Sequence, residues 1–183
     1  TKPISLALRI PNWCRKWSAL INGKREENAL VENGYVLFRR EWKEGDRVDL
    51  NLDISIEIIC SNPKVRANAG KIAIQRGPLV YCLEEADNGE NLSALSVDIS
   101  SGFIAREDGC LMKNAVVIKG KAVRTVEDDW DDSLYRPYQQ PIVREVDITA
   151  VPYFMWGNRK PGEMLVWIHK KEIGEGKVLN DML

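Results

Sequence analysis

Apolar and polar residues alternate with a period of two through most of the chain, and that pattern predicts strands. In 5–10, Leu6, Leu8 and Ile10 share one face, as a half-buried strand requires. In 47–52, Val48, Leu50 and Leu52 alternate with Arg47, Asp49 and Asn51 without a break. Further strands are expected at 18–21, 34–39, 55–60, 71–75 and 79–83. For 34–39 the alternation allows either Tyr35 and Leu37 or Val36 and Phe38 to point inward. Turn residues separate these runs. Asn22-Gly23 accepts positive φ at both positions, a strong hairpin signal, and Pro11-Asn12, Gly45-Asp46 and Gly77-Pro78 punctuate the rest. About seven short strands at this spacing predict a sandwich. Turns this short predict antiparallel neighbours, and no amphipathic helix competes.

From Glu84 to Asn91 the chain is acidic and polar with no apolar period, and a domain boundary is expected there. Strand patterns resume at 95–99, 103–106, 116–119, 122–126, 143–151 and 164–168. A polar stretch with Trp130, Tyr135, Pro137, Tyr138 and Pro141 reads as a surface loop. The Gly, Asn and Pro residues of 153–162 read as a turn carrying exposed aromatics. The expected fold class is therefore all-β: two consecutive antiparallel β-sandwiches of jelly-roll or Ig-like type. They would span 1–84 and 93–169, with a linker at 85–92 and a mobile tail at 170–183.

Composition narrows the partners. The 183 residues are 44% hydrophobic and 29% charged, with 26 Lys+Arg against 27 Asp+Glu and a net charge of −1. No basic excess exists to release counterions from nucleic acid or to meet an anionic membrane, so neither is an expected partner. No apolar run approaches the roughly 18 residues of a spanning helix. The start, Thr1-Lys2-Pro3, has no signal-peptide pattern and no initiator Met, and reads as a piece of something longer. Cys14, Cys60, Cys82 and Cys110 have irregular spacing with no C-x-x-C, which argues against a zinc or redox site. They are expected to be free thiols, which favours a cytoplasmic over a periplasmic location.

Candidate chemistry is sparse. Adjacent Glu84-Glu85 would point opposite ways on a strand, and they read as its solvated end rather than as a glycosidase pair. The cluster 128–132 (Asp-Asp-Trp-Asp-Asp) offers oxygen ligands for calcium but lacks EF-hand spacing, and reads as a solvated loop. His169, the single histidine, lies beside two lysines and reads as a surface residue. No G-x-S-x-G elbow and no phosphate-binding glycine loop is present. The six tryptophans are the richer signal. Trp167 is expected in the core, and Trp42 is expected to pin its turn. Trp13, Trp130 and Trp156, with Tyr153 and Arg159 beside the last, are the candidates for an interface or a sugar contact.

Four stretches carry a resemblance. They are Leu8-Arg9-Ile10-Pro11-Asn12-Trp13; Gly34-Tyr35 with Arg40-Glu41-Trp42-Lys43-Glu44-Gly45-Asp46; Gln75-Arg76-Gly77-Pro78-Leu79-Val80-Tyr81-Cys82-Leu83-Glu84; and Val151-Pro152-Tyr153-Phe154-Met155-Trp156-Gly157-Asn158-Arg159 with Glu163-Met164-Leu165-Val166-Trp167-Ile168. In order and spacing the chain, to about Ile168, resembles the C-terminal region of glycoside hydrolase family 127, the β-L-arabinofuranosidase-like proteins. The resemblance implies a helical (α/α)6 catalytic barrel followed by β-sandwiches, with a zinc-bound cysteine thiolate as nucleophile of a retaining glycosidase. It places the zinc ligands, a Glu and several Cys including an adjacent pair, in the barrel. None of the four cysteines here fits an adjacent-Cys motif, so no catalytic residue, metal ligand or cofactor is expected in this chain, and zinc is expected in the absent catalytic domain. The implied role is a non-catalytic accessory portion that braces the barrel and supplies domain or subunit interfaces. Its partners would be the chain's own N-terminal barrel, with a homodimer or a glycan as further ones. The rival reading is a carbohydrate-binding module that holds arabinose-containing glycans by aromatic stacking.

Overall fold

The computed structural model describes residues 2–26, 29–109, 113–126 and 133–171. Trp130, Cys110, the acidic cluster at 128–132 and residues 172–183 of the expected tail lie outside them. The described backbone is mainly strand, with one α-turn and a few 3-10 turns. The chain divides into two compact units, Thr1–Ser55 with Arg76–Pro78, and Ile56–Gln75 with Leu79–Leu183.

The first unit holds two three-stranded sheets. Its strands are β1 (Ile4–Arg9), β2 (Trp17–Ile21), β3 (Lys24–Arg25), β4 (Leu30–Glu32), β5 (Tyr35–Arg40) and β6 (Val48–Leu52). The orders are β1-β5-β4 and β3-β2-β6, all antiparallel. Two Asn-Gly pairs make the tight hairpins. Asn22 and Gly23 take φ of 53° and 76° between β2 and β3, and Asn33 and Gly34 take 51° and 79° between β4 and β5. Positive φ at both central residues matches the right-handed strand twist. The two-residue β3 and three-residue β4 are too short to show alternation, and sequence reasoning missed them.

In β5 it is Val36 and Phe38 that point inward. They meet Ala19 and Ile21 of β2, with Ile10 and Cys14, and half-buried Trp13, Trp17, Trp42, Val48 and Leu50 pack around them. Trp42 pins its turn as expected, since its indole N–H donates to the Ile4 carbonyl at 3.0 Å and the Arg40 guanidinium lies over the ring. The hairpin tip Gly77 has φ 55°, and a Cβ there would lie 2.7 Å from Ile54 Cγ2.

Among the described residues the second unit is one sheet of nine strands. They are β7 (Ile56–Cys60), β8 (Lys71–Arg76), β9 (Leu79–Glu84), β10 (Leu95–Val97), β11 (Ile104–Glu107), β12 (Val116–Thr125), β13 (Val143–Pro152), β14 (Met164–Leu165) and β15 (Ile168–Lys170), with the single turn α1 (Glu85–Asn88) after β9. The order is β14-β9-β13-β12-β10-β15-β8-β7, and β9 also pairs with β8. Six strands (β9, β13, β12, β10, β15 and β8) therefore close a ring. One pairing, β10 with β15, is parallel, an exception to the antiparallel expectation.

The expected boundary at 85–92 is corrected by this pairing. Tyr81, Cys82 and Leu83 of β9 lie opposite Pro152, Val151 and Ala150 of β13, and Leu83 and Glu84 lie opposite Leu165 and Met164 of β14. Residues on both sides of 85–92 thus share one sheet, and the division falls at 55/56 instead. From Tyr81 to Glu84 the strand is buried on both faces, which is why its middle reads as an apolar run without alternation. Tyr81 and Leu83 join a core with Ile72, Ile74, Leu92, Leu95, Ile118 and Ile148, while Cys82 meets Val117 and Val151 on the other face.

The expected strands 116–119 and 122–126 are one strand running through Gly120. The Phe103 ring lies against that glycine, where a Cβ would come within 2.8 Å of it. The run 164–168 is instead broken between β14 and β15, with Trp167 half-buried at the bend. The start of the expected mobile tail belongs to the sheet: Lys170 ends β15, and Lys171 N–H donates to the Val97 carbonyl at 2.8 Å.

Candidate functional site

The chemistry gathers where β9 ends and the 153–163 turn passes over it. Glu84 lies two residues beyond Cys82 and so points to the same covered face, and it is only 4% exposed. Its expected place at a solvated strand end is therefore corrected. A buried carboxylate needs a partner, and Arg159 supplies one. The guanidinium bonds Glu84 Oε2, donates from Nη1 to Asp87 Oδ1 at 2.7 Å and from Nη2 to Asp87 Oδ2 at 2.5 Å. Gly157 N–H donates to the other Glu84 oxygen at 3.1 Å. The hydrogen bonds to Asp87, then those to Glu84, hold the Arg159 charge well above its usual range against the opposing pull of burial. Its Nε is buried without a partner, an unfavourable term in an otherwise satisfied cluster.

The polar run 84–92 is fixed by further side chains. Asn88 Nδ2 donates to the carbonyls of Glu84 and Thr149, and its Oδ1 accepts from Thr149 N–H, each at 2.9 Å. Arg124 donates to the carbonyls of Asn88, Glu90 and Asn91. Glu163 Oε2 accepts from Leu92 N–H at 2.7 Å, and Glu85 Oε2 accepts from Glu163 N–H at 3.0 Å. A segment that looks like a linker by composition is hydrogen-bonded at nearly every turn.

On this base sits an aromatic knuckle. Residues Tyr153–Met155 form a 3-10 turn; Met155 is buried beneath it, while Tyr153, Phe154 and Trp156 are exposed. Tyr153 and Trp156 stack with ring centroids 6.1 Å apart. Beside Trp156 opens a cleft of about 240 Å³, lined also by Glu84, Glu85, Lys160, Gly162 and Glu163.

Of the sequence candidates, the structure brings Tyr153, Trp156 and Arg159 together. Arg159 turns inward as the clamp of the knuckle. Trp13 is half-buried against the first unit's core, and Trp130 lies outside the described residues. Sequence reasoning missed Asp87, Asn88, Arg124, Lys160 and Glu163. The readable signal was Glu84 itself, an acid on the face that Cys82 buries.

The described residues do not fit the zinc centre that the resemblance implies. No three His, Cys, Asp or Glu side chains converge among them. Cys14, Cys60 and Cys82 are free. Burial, then the Glu84 charge, pushes the Cys82 thiol up to about 12, the opposite of an activated thiolate. It stays protonated and points its S–H at the Val151 carbonyl.

Two family models divide the chain at the same place as its two units, at residue 55. Residues 56–169 match the glycoside hydrolase family 127 C-terminal domain, and residues 1–54 match the middle domain of beta-L-arabinofuranosidase of the same family. The chain belongs to glycoside hydrolase family 127. It is similar to the non-reducing end beta-L-arabinofuranosidase of Bifidobacterium longum subsp. longum, 33% identical over 173 residues, which is 90% of this chain and 26% of that protein. It is also similar to the crystal structure of a beta-L-arabinofuranosidase from Geobacillus stearothermophilus T6, with TM-score 0.87 and 45% identity over 92% of this chain and 27% of that one. A third similarity is to a beta-arabinofuranosidase structure of the family, with TM-score 0.80 and 28% identity over 93% of this chain and 28% of that one. The chain spans about a quarter of the length of these relatives.

Proposed function

We propose that this chain is the accessory, non-catalytic portion of a longer glycoside hydrolase of the β-L-arabinofuranosidase kind. It braces a catalytic (α/α)6 barrel that carries the zinc. The observation that carries this reading is the coverage: 90% of the chain aligns with 26% of a curated hydrolase, across its middle and C-terminal family regions. Local chemistry agrees. Glu84 and Asp87 are both spent on one guanidinium, so neither is poised as a free acid or base. We read the two units as sandwich-like bodies of jelly-roll or Ig type that offer broad rigid surfaces.

Leu134, Tyr135 and Tyr138, 83%, 90% and 86% exposed and close together in sequence, are the contact surface we assign to the barrel or to a second subunit. The test compares this chain with a longer version that carries the upstream region, using a chromogenic β-L-arabinofuranoside. Turnover is expected from the longer protein alone. Turnover by this chain by itself would sink the reading.

A further inference from the structure

We propose that the Trp156 cleft binds one neutral sugar ring of a glycan, stacked on the indole with its hydroxyls held by Glu85 and Glu163. This goes beyond the accessory role and does not depend on it.

Three observations carry the assignment. The first is size. About 240 Å³ is below the roughly 300–1,000 Å³ of drug-sized sites and suits a single ring. The second is the lining. Trp156 is 44% exposed at the cleft wall and offers an apolar face of the kind that sugar C–H groups cover. Glu85 and Glu163 each use one oxygen on a backbone N–H, Glu163 and Leu92 respectively. Their other oxygens carry no hydrogen bond among the described residues and can accept from sugar hydroxyls, in the stronger charge-assisted form. Lys160 adds a donor for a ring or hydroxyl oxygen. The carboxylates of Glu85 and Glu163 outnumber the one Lys160 cation in the lining, which disfavours an anionic ligand. No group of three acidic side chains able to hold a metal ion is found among the described residues. A neutral polyhydroxy ligand fits what remains.

The third observation is preorganisation. Arg159 ties the turn to Glu84 and Asp87, and Gly157 N–H is bonded to Glu84. Tyr153, which stacks on Trp156, lies outside the cleft lining. Gly162 keeps the wall open, since a Cβ there would lie 2.8 Å from Glu85 Oε2. A recognition group held in place before binding loses little freedom on binding.

The test is a titration of the chain, watching the Trp156 indole N–H by two-dimensional NMR, with the signal assigned by Trp156→Phe. The probes are methyl glycosides of arabinofuranose, xylopyranose and glucopyranose, with galacturonate as the anionic control. Saturable shifts with at least one neutral glycoside, near a millimolar Kd, are expected, and Trp156→Ala should abolish saturation. Glu163→Gln keeps an acceptor for Leu92 N–H and should weaken binding about tenfold with the melting temperature unchanged. Absence of saturable shifts with every neutral glycoside would overturn the proposal. So would binding that survives Trp156→Ala, or equal binding of galacturonate.

Discussion

The two units solve the same problem, ordering a β-rich chain, by different means. In the first unit the organising elements are local. Asn22-Gly23 and Asn33-Gly34 set two hairpins by backbone conformation, and Asp46 closes a third turn by accepting from Lys43 N–H and the Asn22 amide, both at 2.8 Å. In the second unit they are distant. Arg159 reaches back more than seventy residues to Glu84 and Asp87, and Asn88 and Glu163 bridge similar separations. Short-range order can be read from dipeptides. Long-range polar order needs the fold before its partners can be named.

The sharpest way to break the contrast is to remove the second unit's hub. Arg159→Met leaves Glu84 buried without its counter-charge, which should cost about 3–5 kcal/mol. Hydrogen exchange read peptide by peptide should show protection lost in 79–92 and 143–165 and retained in β1–β6. A loss under about 1 kcal/mol, or one spread evenly over both units, would contradict the assignment of the clamp. The next effect belongs to the first unit. Gly77→Ala adds a methyl 2.7 Å from Ile54 Cγ2 at a positive φ, and should cost about 2–3 kcal/mol by urea denaturation.

The third experiment uses pH. Cys82 is raised to about 12 from an unfolded value near 9. Its neutral form is favoured by folding, so its contribution is complete below pH 9 and is lost as pH rises from there toward 12. The loss should be on the order of 1 kcal/mol by pH 10, and Cys82→Ala should flatten that slope relative to the parent. The smallest effect is at Asp46. The backbone bond from Lys43 and the amide of Asn22 lower its carboxyl. Its support is present above the usual carboxylate range and fades as pH falls through the lowered folded value. Asp46→Ala should therefore shift the melting temperature slightly at neutral pH and not at all at the acid extreme.

The contrast also explains what could be read from the sequence. Strands such as 48–52 and 79–83 were legible because a half-buried strand alternates and a doubly covered one is apolar throughout. Trp42 was legible as a turn anchor, as was the exposed aromatic turn at 153–156. The division at 55/56 was not, because burial and strand pairing across long separations leave no local mark. The polar run 85–92 looked like a linker since polarity alone does not distinguish groups facing water from groups facing Arg124 and Asn88. Arg159 was singled out as an interface or sugar contact, whereas its guanidinium is bonded to Glu84 and Asp87. Only the burial of Glu84 reveals it as the knuckle's clamp.

The ring of six strands has a consequence for synthesis. Its last member, β15, lies between β8 and β10, with His169 opposite both Lys71 and Ser96. A ribosome that has released residues up to Val166 has made five of the six staves but not the one that joins their ends. Until Ile168 to Lys170 emerge, β8 and β10 present open edges, which invite pairing with other nascent chains. Stop codons just before Ile168 should thus yield insoluble protein.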